Sequence, residues 1–134
     1  MEFLNFSISK KLKEKGFNEE CLCHYIGEDL VYNIESPIAN NQIWFCHNKY
    51  DNIWHRDNVD APTISQVLDW LRTNHGIYVR VDLWKRGWYF DVISYEYDES
   101  CSEYNVATKH QSEDYKSYDE AAIMGAKYVL DNLI

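Results

Sequence analysis

A chain of 134 residues with 46% apolar content is sized for one globular domain, residues 1–134, whose core needs no disulfide or metal staple. Its net charge of −9 makes nucleic acid an unfavourable partner, because binding a phosphate backbone takes a basic stripe. No run of apolar residues approaches the ~20 that a membrane helix needs.

In chain order, Ser7 or Ser9 is expected to cap a short helix that runs to about Lys15 and stops at Gly16. Ile8 and Leu12 give it a narrow apolar stripe, and Lys10, Lys11, Lys13 and Lys15 form a solvated face that suits a helix C-terminus. Strand-like runs follow at 22–26, 30–34 and 42–47, separated by turn signals at Gly27-Glu28-Asp29 and from Pro37 to Asn41. The stretch from Asn48 to Asp60 reads as a structured loop.

The pattern then sharpens. Thr63 and Gln66 have capping-box spacing, and Ile64, Val67, Leu68 and Leu71 mark one face of a helix that Gly76 ends. Ile77, Val79, Val81 and Leu83 alternate with Tyr78, Arg80, Asp82 and Trp84, which is the period of a half-buried strand. Lys85-Arg86-Gly87 is expected to form a three-residue turn into a second strand, from Trp88 to Tyr95. Residues 97–117 read as a long loop. Between Tyr97 and Glu120 seven acids stand against two lysines, a local charge of −5. Ser117 and Glu120 form a second capping box, opening a helix to about Asn132 with the stripe Tyr118, Ala122, Gly125, Val129 and Leu133. Small residues at 121, 122, 125 and 126 would let it lie close to a sheet. The expected fold is therefore α+β, an antiparallel sheet of four or five strands with two capped helices on one face.

The stretch Ala61-Pro62-Thr63-Ile64-Ser65-Gln66-Val67-Leu68-Asp69-Trp70-Leu71-Arg72 with His75-Gly76-Ile77 resembles segments of small uncharacterised proteins encoded in mobile elements and phages of gut anaerobic bacteria. So do the ending Ser117-Tyr118-Asp119-Glu120-Ala121-Ala122 and, near the start, Lys13-Glu14-Lys15-Gly16-Phe17. The resemblance implies an α+β domain in a cytoplasmic setting and carries no activity with it.

Residues with chemical potential are each met by an ordinary structural reading. Residues 1–6 lack a basic region and an apolar core of signal-peptide type, so a cytoplasmic chain with reduced thiols is expected, and the Asn5-Phe6-Ser7 sequon has no use. Cys21-x-Cys23-His24 and Cys46-His47 put thiols beside imidazoles. Structural zinc favours pairs two to four residues apart, and buried free cysteines are common, so no metal site is expected. His55-Arg56-Asp57 echoes a kinase catalytic loop, but Pro62 stands where that loop needs its metal-binding Asn. With no nucleophile elbow and no glycine-rich phosphate loop, no cofactor is expected either.

The candidate site is the hairpin, where Trp84, Arg86 and Trp88 flank the turn. If both indoles share the face opposite the aliphatic residues, they and the guanidinium make an anchor for a protein partner, and the acidic balance favours a basic surface on it. A non-enzymatic protein-interaction or modulator protein of a mobile element or phage is the expected function. The alternatives are a small-ligand or metal-binding module, which needs a deep pocket, and an enzyme of unrecognised type, which needs a cleft of perturbed ionisable groups.

Overall fold

The first helix, α1 (Phe6–Glu14), opens at Asn5, whose side-chain oxygen accepts from the Ile8 N–H at 3.0 Å. Asn5 is placed one residue before the helix and reaches an otherwise orphaned donor, so neither Ser7 nor Ser9 is needed as the cap. Ser9 instead lies buried, with its hydroxyl donating to the Leu4 carbonyl at 3.3 Å. At the other end Gly16 takes φ 91°, the Gly16 N–H donates to Lys13 and the Phe17 N–H to Leu12. These paired bonds are a Schellman motif, and Leu12 and Phe17 on either side of it are fully buried.

The computed structural model describes residues 3–26, 29–32 and 58–134. The chain divides into two compact units, Met1–Thr63 and Ile64–Ile134. In the first, β1 (Cys23–Ile26) lies between β2 (Asp29–Tyr32) and β3 (Asn58–Ala61), all antiparallel. Cys23, Tyr25, Val59 and Ala61 share one face and form a buried cluster with Phe3, Phe6 and Leu22 against it. The Tyr25 hydroxyl donates to the Leu4 carbonyl at 2.8 Å and Phe6 meets its ring edge-on, so the segment before α1 is tied to the sheet. β3 begins inside the stretch read as a loop, because Val59 and Ala61 pair with Tyr25 and Cys23 and gain burial there. The expected strand at 42–47 and the aromatic segment around it lie outside the described residues.

The second unit runs α2 (Ile64–His75), β4 (Ile77–Trp84), β5 (Gly87–Asp98), β6 (Glu103–Gln111) and α3 (Tyr118–Asn132), with strand order β4-β5-β6. α2 buries Ile64, Val67, Trp70 and Leu71. Trp70 is buried where Leu68 was expected, and Leu68 is half-buried. α3 is capped by Ser117, whose hydroxyl accepts from the Glu120 N–H at 3.1 Å. The Glu120 carboxylate reaches the Lys116 N–H at 3.3 Å, one residue further out than the usual box. Tyr118 and Leu133, the ends of the expected stripe, are exposed, and burial is carried by Ala121, Ala122, Gly125, Ala126, Val129 and Leu130.

The single sheet of four or five strands with two helices is thus replaced by two three-stranded antiparallel sheets and three helices among the described residues. The main cause is β6. The acidic stretch expected to be a loop extends β5 to Asp98 and returns as a nine-residue strand.

Candidate functional site

Register decides what the hairpin can present. Leu83 pairs with Trp88, Val81 with Phe90 and Val79 with Val92, so these six side chains share one face of the sheet. Trp84 pairs with Gly87, Asp82 with Tyr89, Arg80 with Asp91 and Tyr78 with Ile93 on the other. α3 covers the first face, since Gly125 sits directly over Val79 and Phe90. Trp84 and Trp88 therefore lie on opposite faces, which corrects the expectation of a shared indole anchor. A turn of two residues, Lys85-Arg86, rather than three produces this phase, because Gly87 already belongs to the ladder.

Trp88 is half-buried and meets Tyr118 edge-on at 5.6 Å, a cross-element contact that seats the start of α3. Behind it Phe90 stacks on Tyr115 at 6.1 Å, and His110 stacks on Tyr128 at 4.0 Å. Burial next to Glu113 and Glu120 pushes the Tyr115 phenol above its ordinary range, with burial the larger cause. These rings belong to the helix-covered side. Trp84 is 65% exposed, and Arg86 is exposed at the turn. Trp84 and Tyr89, with Gln111, Ser112 and Asp114, line an open groove of about 360 Å³.

The outer face carries more aromatic surface than the hairpin tip. β5 is twelve residues and β4 eight; past Tyr95, whose N–H donates to the Gly76 carbonyl at 3.0 Å, β5 is paired only with β6 among the described residues. There Tyr97 pairs with Tyr104 and Tyr95 with Val106 on the outer face. The Tyr97 and Tyr104 rings meet at 5.0 Å and the Tyr95 and Tyr104 rings at 6.0 Å, a three-tyrosine ladder. Tyr97, Tyr104 and Val106 are 50%, 62% and 64% exposed. The opposite face of this ribbon pairs Glu96 with Asn105 and Asp98 with Glu103, so one side is aromatic and the other acidic. Between ribbon and hairpin tip, Asp91, only 4% exposed, is bonded by Arg80, which answers the cost of burying a carboxylate.

The ribbon's turn has its own clasp. One Asp98 carboxylate oxygen accepts from the Ser100 N–H at 2.9 Å and the Ser100 hydroxyl at 2.6 Å, and Ser102 follows at φ 55°. These bonds hold the Asp98 carboxyl below the usual range. A depressed carboxylate pKa adds stability above the unfolded value and loses it as pH falls through the folded one. Amide exchange at Ser100 is therefore expected to accelerate as pH falls below about 4, after correction for intrinsic exchange, and Asp98→Asn to show no such change.

The described thiol and imidazole pair, Cys23 and His24, does not converge. Cys23 and His24 are successive strand residues and point to opposite faces. Cys21 and Cys23 are fully buried free thiols, and burial raises the Cys23 pKa, which suits packing rather than ligation. Among the described residues no group of three or more His, Cys, Asp or Glu is arranged to hold a metal ion. Cys46-His47 and His55-Arg56-Asp57 lie outside the described residues. No helix among the described residues is long and apolar enough to cross a membrane.

What fold and site define together is an α+β protein with antiparallel sheets, one of which leaves an aromatic face open. Compared with protein-family models, curated proteins and solved structures, the chain finds no match.

Proposed function

We propose that the chain is a small acidic cytoplasmic protein that acts without catalysis, by binding a protein partner through the outer face of its β4–β5–β6 sheet. One observation carries the reading: Trp84, Tyr97, Tyr104 and Val106 expose aromatic and apolar surface on one face of the sheet, the face opposite α3. Exposed apolar surface gathered on one face is a mark of an interaction site, and Tyr and Trp are favoured at binding hot spots. The net charge of −9 favours a basic partner surface. The resemblance to mobile-element and phage proteins suggests a host complex as the target of modulation.

Trp84 and Arg86 stay in this proposal as the tip of the surface. Trp88 leaves it for the α3 contact. The test is photo-cross-linking in bacterial lysate with p-benzoylphenylalanine in place of Tyr104 or, as control, of exposed Ser65 on α2. A discrete adduct from position 104 that is missing from position 65 is the expected result. The same adducts from both positions would refute the face assignment.

A further inference from the structure

The proposed partner surface has a border with chemistry of its own, and the inference drawn from it rests on that reading. β6 is an edge strand of its sheet, with β5 on one side and no strand among the described residues on the other. The Tyr95 N–H donates to the Gly76 carbonyl, toward β4. Backbone groups alternate along a strand, so Ser94 and Glu96 bond toward β6, to their partners Ala107 and Asn105. The N–H and C=O groups of Tyr104, Val106 and Thr108 consequently point away from the sheet. Natural edges are commonly blunted by shortness, proline, lysine or a bulge. Here the register shift opposite Val92 and Ile93, with Lys109, blunts only the far end, leaving 103–108 regular and exposed.

We infer that this edge accepts an extended basic segment of the partner as a fourth strand. Charge complementarity selects the occupant. Asp98, Glu99 and Glu103 stand at one end of the strand and Glu113 and Asp114 just past the other, with Lys109 the one cation between Asp98 and Asp114. Main-chain bonding supplies affinity, and alternate side chains of the added strand fall beside Tyr104 and Val106 on the outer face. An arginine there lies over a phenol ring, where the negative π face attracts it. A second copy of the chain fits poorly, because each copy carries a net charge of −9 and the same acids at both ends of this edge.

The test titrates the full chain with a nine-residue peptide of alternating arginine and valine, matched to the nine residues of β6, and reads amide hydrogen exchange. Exchange at Tyr104, Val106 and Thr108 is expected to slow about tenfold or more at saturation, with β4 unchanged. A peptide with glutamate for arginine, and one N-methylated at alternate amides, are each expected to bind at least about tenfold more weakly. Val106→Pro removes an outward N–H at an edge position that tolerates proline, and should keep the melting curve while losing the peptide. Equal affinity for the glutamate or the N-methylated peptide would overturn the inference, as would protection that spares β6. If the edge fails while position 104 still cross-links to a partner, the face reading survives without it. If neither holds, both fall.

Discussion

Gly87→Ala is expected to destabilise the second unit by about 3 kcal/mol, through two effects that act together. The backbone at Gly87 has φ 146°, a conformation that residues with a Cβ rarely adopt. A Cβ built there also comes 2.5 Å from the Tyr115 carbonyl oxygen. That oxygen belongs to backbone and cannot swing away. It is also the acceptor for the Trp88 N–H at 2.9 Å, in the bridge that fastens the segment after β6 to the start of β5. The variant must push that segment off or strain the turn. Chemical denaturation should show a lowered midpoint, and near-UV circular dichroism a weakened Trp signal as the Trp88–Tyr118 contact loosens. An unfolding free energy within about 0.5 kcal/mol of wild type would show that the turn does not have this geometry.

Gly125→Val should cost a similar amount, about 3 kcal/mol, by overpacking. α3 approaches the sheet so closely that a Cβ at 125 meets Val79 Cγ1 at 2.5 Å and the Phe90 ring at 3.2 and 3.3 Å. Val79 is stiff at χ1, and Phe90 is held by the ring contacts with Tyr115 and Tyr128. Gly125→Ala separates the causes. In a helix the exchange to alanine alone would gain about 1 kcal/mol, so a net loss measures the clash. Val79→Ala combined with Gly125→Ala should recover part of it, since the lost methyls vacate the space the new one needs. Additive losses would contradict the packing described.

The two glycines show what a sequence can reveal. Small residues at 121, 122, 125 and 126 announced a close helix–sheet approach, and that is where α3 makes it. The phase of the hairpin was harder to read. Alternation from Ile77 to Trp84 is plain, but a two-residue and a three-residue turn differ by one step, and one step moves every following side chain to the other face. With the two-residue turn Trp88 faces α3, and with a three-residue turn it would share the face of Trp84.

β6 was hidden for another reason. Tyr104, Val106 and Thr108 alternate as a strand should, but the acids of 97–117 suit a solvated loop as well. In the structure Asp98 clasps the turn and Glu103 pairs with it across the ribbon, so the acids bracket an exposed strand. Propensity is a weak guide at edges, where one face and one backbone side remain in water. β3 is illegible in the sequence because Asn58 and Asp60 are turn-favouring residue types, and only pairing with β1 makes these four residues a strand.

If the aromatic face of the second sheet holds a protein partner, removing its tyrosines must release that partner. Affinity capture from bacterial lysate tests it most directly, comparing wild type, Tyr97→Ser/Tyr104→Ser and a Ser65→Ala control by quantitative mass spectrometry at low and high salt. One stoichiometric partner is expected, basic at its contact surface, kept by the control, depleted at high salt and lost from the tyrosine variant while that variant still melts cooperatively. Retention of the same partner by a folded Tyr97→Ser/Tyr104→Ser chain would contradict it.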